Sequence, residues 1–205
     1  MLSRIKELAV EMKPGLLDLC QRAIQCPSLT GEEGAVAQIF LAELQKLGYD
    51  EAFIDDWGNV IGMVYGTEAG PTIMYNGHMD HVDIGDPSEW NGYDPYGGEI
   101  DGGYIYGRGA ADMKGHMIAL LTAAEDLLQE GWNPASDVYF AFSCDEEQRG
   151  GSMEMIVKDK SEVGGPLEQY STAGYKFEDC TKILYQERML RVESCSAYSK
   201  TDEAN

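Results

Sequence analysis

Basic residues are scarce in this chain. Only 15 Lys and Arg stand against 36 Asp and Glu, and the formal net charge at pH 7 is −21. A surface of this sign repels phosphate groups, which excludes the electrostatic attraction that drives nucleic-acid binding. It disfavours anionic membrane surfaces for the same reason. We therefore expect neither a nucleic-acid partner nor a membrane partner.

Long apolar runs and paired cysteines are also missing. No run is long enough to span a bilayer, and the N-terminal stretch MLSRIKELAVEMKPG carries charges among its apolar positions, unlike a signal peptide. The cysteine count is odd and no two cysteines form a CxxC pair, which is typical of a reducing compartment. The cysteines are Cys20, Cys26, Cys144, Cys180 and Cys195. The sequence thus predicts a cytoplasmic protein.

What is present is an alternation of helical and β-prone segments. Helical spacing of apolar residues covers 2–25, with an interruption at Pro14, and then 32–47 and 113–130. Thr30 and Glu33 have the spacing of a capping box for the second of these helices. The β-prone segments are 53–54, 60–65, 72–75 (a buried strand by its composition), 104–106 and 137–143. This order predicts an α/β fold, with three layers and a mostly parallel sheet that has helices on both faces.

A histidine and several carboxylates follow the predicted strands. In open α/β sheets, ligands bind at the carboxyl ends of strands, so these side chains could converge. His78 and Asp80 follow one strand, Asp112 precedes a helix, and Glu146 and Glu147 follow another strand. Imidazole and carboxylate are good zinc ligands, an Asp two residues after a His can hold the ring, and adjacent glutamates can divide metal binding from proton transfer. Solvated loop charges and a structural histidine are the alternative interpretation.

Three motifs in order resemble one known family. GHMD, GRGAADMKG and DEE resemble the zinc-dependent family of aminoacylase, acetylornithine deacetylase, succinyl-diaminopimelate desuccinylase and glutamate carboxypeptidase. The segments PSLTGEE and WNGYDPYG are similar to that family as well, and the resemblance covers about residues 5–158. It implies that the α/β fold is part of a zinc-peptidase catalytic domain.

The resemblance implies a role for each site residue. His78 would bind the first metal ion and Asp80 would orient its ring. Asp112 would bridge both metal ions, Glu147 would bind the second, and Glu146 would be the general base. The peptide bond between Asp112 and Met113 would be cis, as it usually is in the family.

The activity implied by the resemblance is hydrolysis of an amide bond with two zinc ions, although cobalt or manganese could occupy the same ligands. The usual substrates are N-acyl amino acids or small peptides with a free carboxylate. Full-length members of the family can form homodimers.

Two ligands of the family pattern are not identifiable in the sequence. One is an acidic residue some two dozen positions after the glutamate pair, where Glu168, Glu178 and Asp179 fall without the expected context. The other is a histidine near the end of a longer chain, whereas the last histidine here is His116. Each metal ion would keep two protein ligands, while zinc sites generally use at least three. We expect a truncated enzyme whose chain alone binds metal weakly and turns over little.

The sequence changes character near residue 160. We predict a partial metallohydrolase catalytic domain in 1–160 and an atypical tail in 161–205, which has weak periodicity and no histidine. Two other functions stay open. One is a non-catalytic remnant that binds a metal or a partner, and the other is a cysteine-dependent hydrolase that uses Cys144.

Four further polar residues lie beside the motifs. His81 and His116 could be substitute ligands, but a supporting or surface role is the favoured interpretation. Arg108 and Lys114 are expected to organise the turn of the second motif rather than contact substrate. For Cys144, a buried small side chain is the favoured interpretation.

Overall fold

The computed structural model describes residues 2–148 of the 205-residue chain. The predicted boundary near residue 160 and the predicted tail 161–205 lie outside the described residues. Within them, no helix combines the length and the apolar character needed to cross a membrane. The helices are α1 (Leu2–Glu11), α2 (Lys13–Ile24), α3 (Gly34–Lys46) and α4 (Gly115–Gln129). The strands are β1 (Glu51–Ile54), β2 (Val60–Val64), β3 (Ile73–His78), β4 (Ile100–Asp101), β5 (Tyr104–Ile105) and β6 (Val138–Ser143).

The predicted N-terminal helix is two helices, α1 and α2, which divide at Met12. Pro14 lies in the first turn of α2, where a backbone N–H would have no helical partner and its absence costs nothing. Leu19, Ala23 and Ile24 line the buried side of α2. The interruption of the helical spacing at Pro14 therefore marks the start of a second helix, not a kink within one helix.

The larger sheet has the strand order β1-β2-β6-β3, and β4 and β5 form a separate two-stranded ribbon. The α/β class is confirmed, but the sheet is mixed rather than mostly parallel. Strands β1–β2 and β2–β6 pair antiparallel, and β3–β6 is the one parallel strand pair of this four-stranded sheet. The reason is connectivity. A short turn joins β1 to β2, which forces an antiparallel hairpin, whereas the α4 crossover between β3 and β6 produces a parallel pair.

The main core lies between the helices and one face of this sheet. Phe40 and Leu44 of α3 and Leu121 of α4 pack with Phe140 and Phe142 of β6, and all of them are buried. The opposite face carries a smaller buried group, whose members are Ile61, Met63, Tyr139 and Ala141. Helices on both faces were predicted, but the helices that pack on the sheet within residues 2–148 lie on one face.

Strand β3 is less buried than its composition predicted. It lies at the end of the sheet, and the side chains of Ile73 and Tyr75 are 51% and 43% exposed. The carboxyl end of β3 is more buried, because the strand packs against α4 there and both Gly77 and His78 are buried. A Cβ on Gly77 would lie 2.5 Å from Cγ of Met117, so only glycine permits this close approach of helix and strand. The approach fixes the position of His78.

Candidate metal centre

Three chain segments converge at one edge of the sheet. They are the end of β3 with His78 and Asp80, the turn before α4 with Asp112, and the turn after β6 with Glu146 and Glu147. Because β3 and β6 run parallel with His78 opposite Ser143, their carboxyl ends lie side by side. The convergence that the sequence predicted is therefore present.

The closest set consists of His78, Asp112 and Glu147. One potential ligand atom of each lies within 4.8 Å of the others, and residues 2–148 contain no second group of three such side chains. Nε2 of His78 is 3.1 Å from Oδ1 of Asp112 and 3.8 Å from Oε2 of Glu146. His78 is buried while the side chain of Asp112 is 77% exposed, so the cluster opens to solvent on one side.

Asp80 fixes the orientation of the His78 ring. Nδ1 of His78 lies 3.1 Å from the backbone oxygen of Asp80 and 3.4 Å from its Oδ1, which leaves Nε2 facing the other carboxylates. Burial lowers the pKa of His78, but the hydrogen bond to Asp80 and the charges of Glu146 and Asp112 outweigh burial and raise the pKa to about 9.

Asp80 also binds the turn after β6. Its Oδ1 accepts the N–H of Glu146 at 3.1 Å, and its Oδ2 accepts the N–H of Glu147 at 3.0 Å and the hydroxyl of Thr30 at 2.8 Å. Burial raises the pKa of the carboxyl group, but the hydrogen bonds from His78, Thr30 and the two amides lower it to about 2. The fully buried carboxylate of Asp80 thus links the end of β3 to the loop of Thr30 and to the turn after β6. The sequence predicted only that Asp80 would orient the ring of His78.

The side chain of Lys114 anchors the turn that contains Asp112. The Asp112–Met113 peptide bond is cis, as the resemblance implied. The side chain of Lys114 is fully buried, and its Nζ donates to the carbonyl oxygens of Ala23 at 2.9 Å and Cys26 at 2.8 Å. Burial lowers the pKa of this amine to about 8. Lys114 therefore organises the turn, as predicted, by binding the carboxyl end of α2.

Glu146 and Glu147 occupy different environments in the turn after β6. The side chain of Glu146 is 52% exposed, whereas Glu147 is partly buried. Burial and the nearby charge of Asp112 raise the pKa of Glu147. The preceding residue, Asp145, has the left-handed conformation with φ 57°, which is uncommon for a residue other than glycine.

The other two histidines lie outside the cluster. In His81, Nε2 accepts the N–H of Ser28 at 2.9 Å and Nδ1 donates to the carbonyl of Val82 at 2.8 Å, so both ring nitrogens are engaged. His116 is exposed on α4. Neither histidine is brought to the metal-ligand set, in agreement with the supporting and surface roles favoured for them.

Arg108 and Cys144 are also engaged elsewhere. The guanidinium of Arg108 lies over the ring of Trp90 at 5.3 Å. The thiol of Cys144 donates to the carbonyl of Trp57 at 3.1 Å, and its backbone N–H donates to Oδ1 of Asn59 at 3.1 Å. Cys144 is buried against the turn between β1 and β2.

In the structure, Thr30 and Glu33 have roles that differ from those predicted from the sequence. The predicted capping box of Thr30 and Glu33 is wrong, because the N-cap of α3 is Glu33 and has no side-chain cap. Thr30 instead donates to Asp80, and Oε1 of Glu33 accepts the N–H of Asp145 at 2.9 Å. The available signal was the family-like segment PSLTGEE, to which both residues belong.

Comparisons with known proteins agree on one family. The model described as "Peptidase family M20/M25/M40" matches residues 74–179. A succinyl-diaminopimelate desuccinylase of Cereibacter sphaeroides is 38% identical over 126 residues, which are 60% of this chain and 33% of the relative. The chain thus spans about a third of the length of the curated relatives that it matches.

Solved structures of similar fold cover most of the chain. The dipeptidase Dug1p of Saccharomyces cerevisiae aligns with a TM-score of 0.70 at 17% identity, over 79% of this chain and 38% of that chain. The YXEP protein of Bacillus subtilis, described as a dinuclear metal binding peptidase, aligns with a TM-score of 0.50 at 20% identity, over 69% of this chain and 37% of that chain. At these identities the likeness is one of fold.

Proposed function

The chain belongs to the peptidase family M20/M25/M40, whose model matches more than half of its residues, and on this premise we propose that the described residues form part of a metal-dependent amide hydrolase. The observation that carries the proposal is the cluster of His78, Asp112 and Glu147, whose ligand atoms lie within 4.8 Å. Three separate chain segments bring together a histidine and two acidic side chains, which are residue types that bind zinc.

The donor set fits zinc. A neutral imidazole nitrogen and carboxylate oxygens are its usual ligands with sulfur, and the second ring nitrogen of a ligating histidine is normally held by an oxygen acceptor. Both conditions are met, because Asp80 holds Nδ1 of His78 and leaves Nε2 facing Asp112. In our proposal His78 and Asp112 hold one ion, and Asp112 and Glu147 hold a second. Cobalt and manganese suit the same ligands.

The ions supply the electrophilic chemistry when bound, because they polarise a carbonyl and lower the pKa of water. The protein's own part is proton transfer and orientation. Glu146 is half exposed and its Oε2 lies 3.8 Å from Nε2 of His78, so it can accept a proton from water at the cluster and return it to a leaving amine. Asp80 fixes both the ring of His78 and the backbone that carries Glu146.

The substrate class that we propose is a small N-acyl amino acid or a dipeptide with a free carboxylate. The support is the desuccinylase named among the relatives and the dipeptidase named among the structures, because both kinds of enzyme cleave an amide bond next to an amino acid. The solvent-exposed side of the cluster gives such a substrate access to Glu146.

The described residues provide only two ligands for each ion. Because zinc sites generally use three or four protein ligands, we propose that the described residues by themselves bind metal weakly and have low activity. The same ligand count favours the second candidate, a non-catalytic module that binds a metal or a partner. Catalysis separates the two candidates, since only the first requires Glu146.

The test is calorimetric titration of the chelator-treated chain with zinc, followed by assays on N-succinyl and N-acetyl amino acids and dipeptides. Asp112→Asn is the test variant, and Asp18→Asn, which changes an exposed carboxylate of α2, is the matched control. We expect zinc uptake in the wild type and the control and its loss in Asp112→Asn. Turnover that disappears in Glu146→Gln supports the hydrolase, and zinc uptake without turnover supports the binding module. Equal uptake in all variants would contradict both.

A further inference from the structure

Three consecutive backbone amides of the turn after β6 are held by two buried carboxylates. The N–H of Asp145 donates to Oε1 of Glu33 at 2.9 Å, the N–H of Glu146 to Oδ1 of Asp80 at 3.1 Å, and the N–H of Glu147 to Oδ2 of Asp80 at 3.0 Å. Both carboxylates are buried, Glu33 at 6% exposure and Asp80 at 0%.

This turn needs external support. It carries three acidic side chains in succession, Asp145, Glu146 and Glu147, whose charges repel one another at neutral pH. Its first residue, Asp145, also has φ 57°, a conformation that costs energy for a residue with a side chain. The hydrogen bond to Glu33 holds Asp145 in this conformation, whereas the hydrogen bonds to Asp80 hold the two residues that follow.

Glu33 is itself fixed by the loop that contains it. Ser28 donates through its backbone N–H to His81 at 2.9 Å and through its hydroxyl to the carbonyl of Met79 at 2.7 Å. Thr30 donates to Asp80 at 2.8 Å. The loop is therefore bound along the segment that follows β3, and the carboxylate of Glu33 reaches from this loop to the turn after β6.

We propose that Glu33 is a positioning residue for the metal centre. Its carboxylate holds Asp145 and thereby sets the places of the metal ligand Glu147 and the general base Glu146, without touching metal or substrate itself. The inference deepens the proposed function and rests on it for the identity of the metal. The role needs an oxygen acceptor at this point and does not need a negative charge.

Three variants test the proposal on the full chain. Glu33→Met removes the acceptor and keeps the length of the side chain. Glu33→Gln keeps an oxygen acceptor without the charge, and Glu32→Met changes the exposed neighbour in the same loop. The measurements are zinc affinity by calorimetry, thermal unfolding, and hydrogen–deuterium exchange of peptides that cover residues 140–148.

We expect Glu33→Met to lose protection from exchange in this turn and to bind zinc at least 10-fold more weakly, the usual scale for loss of a residue that supports metal ligands. Glu33→Gln and Glu32→Met should resemble the wild type. Unchanged exchange in Glu33→Met would overturn the proposal, and so would lost protection with unchanged zinc affinity. If the wild-type chain itself takes up no zinc, the proposed function fails, and the exchange data still decide whether Glu33 holds the turn.

Discussion

The carboxylate of Asp80 accepts the backbone N–H of Glu147 at 3.0 Å, although 67 positions separate the two residues in the sequence. The same carboxylate faces Nδ1 of His78 at 3.4 Å. One buried side chain therefore determines how far apart two of the proposed metal ligands lie. Asp80 itself is fully buried, so the protein supplies the partners of its carboxylate.

Replacement of Asp80 should destabilise the metal-free chain. In Asp80→Ala, the amides of Glu146 and Glu147 and the hydroxyl of Thr30 lose their acceptor, and a buried unsatisfied donor costs about 1–3 kcal/mol. Because these donors are only partly buried, we expect the free energy of unfolding to fall by about 2–4 kcal/mol, measured by urea unfolding. Asp83→Ala, in an exposed turn, should cost less than about 1 kcal/mol. Similar losses in both variants would show that the hydrogen bonds of Asp80 stabilise the fold no more than those of an exposed residue.

Lys114→Met should weaken both the fold and the metal centre. The substitution leaves the carbonyl oxygens of Ala23 and Cys26 without the ammonium, although it also relieves the burial of a charge. We expect a net loss of about 1–3 kcal/mol in thermal unfolding, together with weaker zinc binding because Asp112 lies on the same turn. Lys46→Met removes the ion pair between the exposed Lys46 and the largely buried Glu43, which keeps Arg22 at 3.7 Å, and it should leave zinc affinity unchanged.

His81 should make the chain less stable in mild acid. Burial lowers its pKa from 6.5, the charges of Lys114 and Arg108 act in the same direction, and the carbonyl of Val82 and the charge of Asp80 partly oppose them. Below pH 6.5 the unfolded chain therefore binds a proton that the folded chain does not, so stability falls as the pH drops. Protonation also removes the acceptor that Ser28 uses.

The measurement is thermal unfolding of the metal-free chain between pH 7.5 and about 5. His81→Gln keeps an acceptor but cannot titrate, and it should lose part of this pH dependence. His116→Gln, at an exposed position of α4, should unfold like the wild type. If His81→Gln and the wild type lose stability in parallel, the folded chain protonates His81 without penalty and the prediction is wrong.

Cys144→Ser should leave zinc uptake unchanged. The thiol is directed to the carbonyl of Trp57, and a serine hydroxyl can donate to the same atom. A calorimetric titration that matches the wild type, together with unchanged turnover wherever turnover is found, would remove the cysteine-dependent hydrolase from consideration. A loss comparable to that of Asp112→Asn would instead make Cys144 part of the centre.

Much of the local structure was predictable because it depends on neighbours in sequence. Apolar spacing over 113–130 predicted α4 nearly to its observed ends, and the composition of 137–143 predicted β6. The meeting of His78 with Asp112 was predictable because strand ends in an α/β sheet share an edge, and the resemblance to the family supplied their proposed roles.

The fold also overruled local patterns. Thr30 and Glu33 have the spacing of a capping box, yet the structure uses both side chains for contacts with Asp80 and Asp145, which are distant in sequence. The carboxylate of Glu33 is buried and therefore needs a partner within the protein, which the amide of Asp145 provides. The spacing of residues in the sequence does not show whether a side chain caps the helix or contacts a distant residue.

The sequence by itself determined the α/β class, the places of the main helices and strands, and the residue types gathered at the candidate metal centre. Those properties follow from side-chain periodicity, backbone restrictions of Pro and Gly, and the chemistry of histidine and carboxylate. Only the tertiary structure decided the mixed sheet, the engagement of His81 away from the centre, and the holding of residues 145–147 by Asp80 and Glu33. These depend on which distant groups are buried together, and burial decides which hydrogen bonds the chain must make within itself.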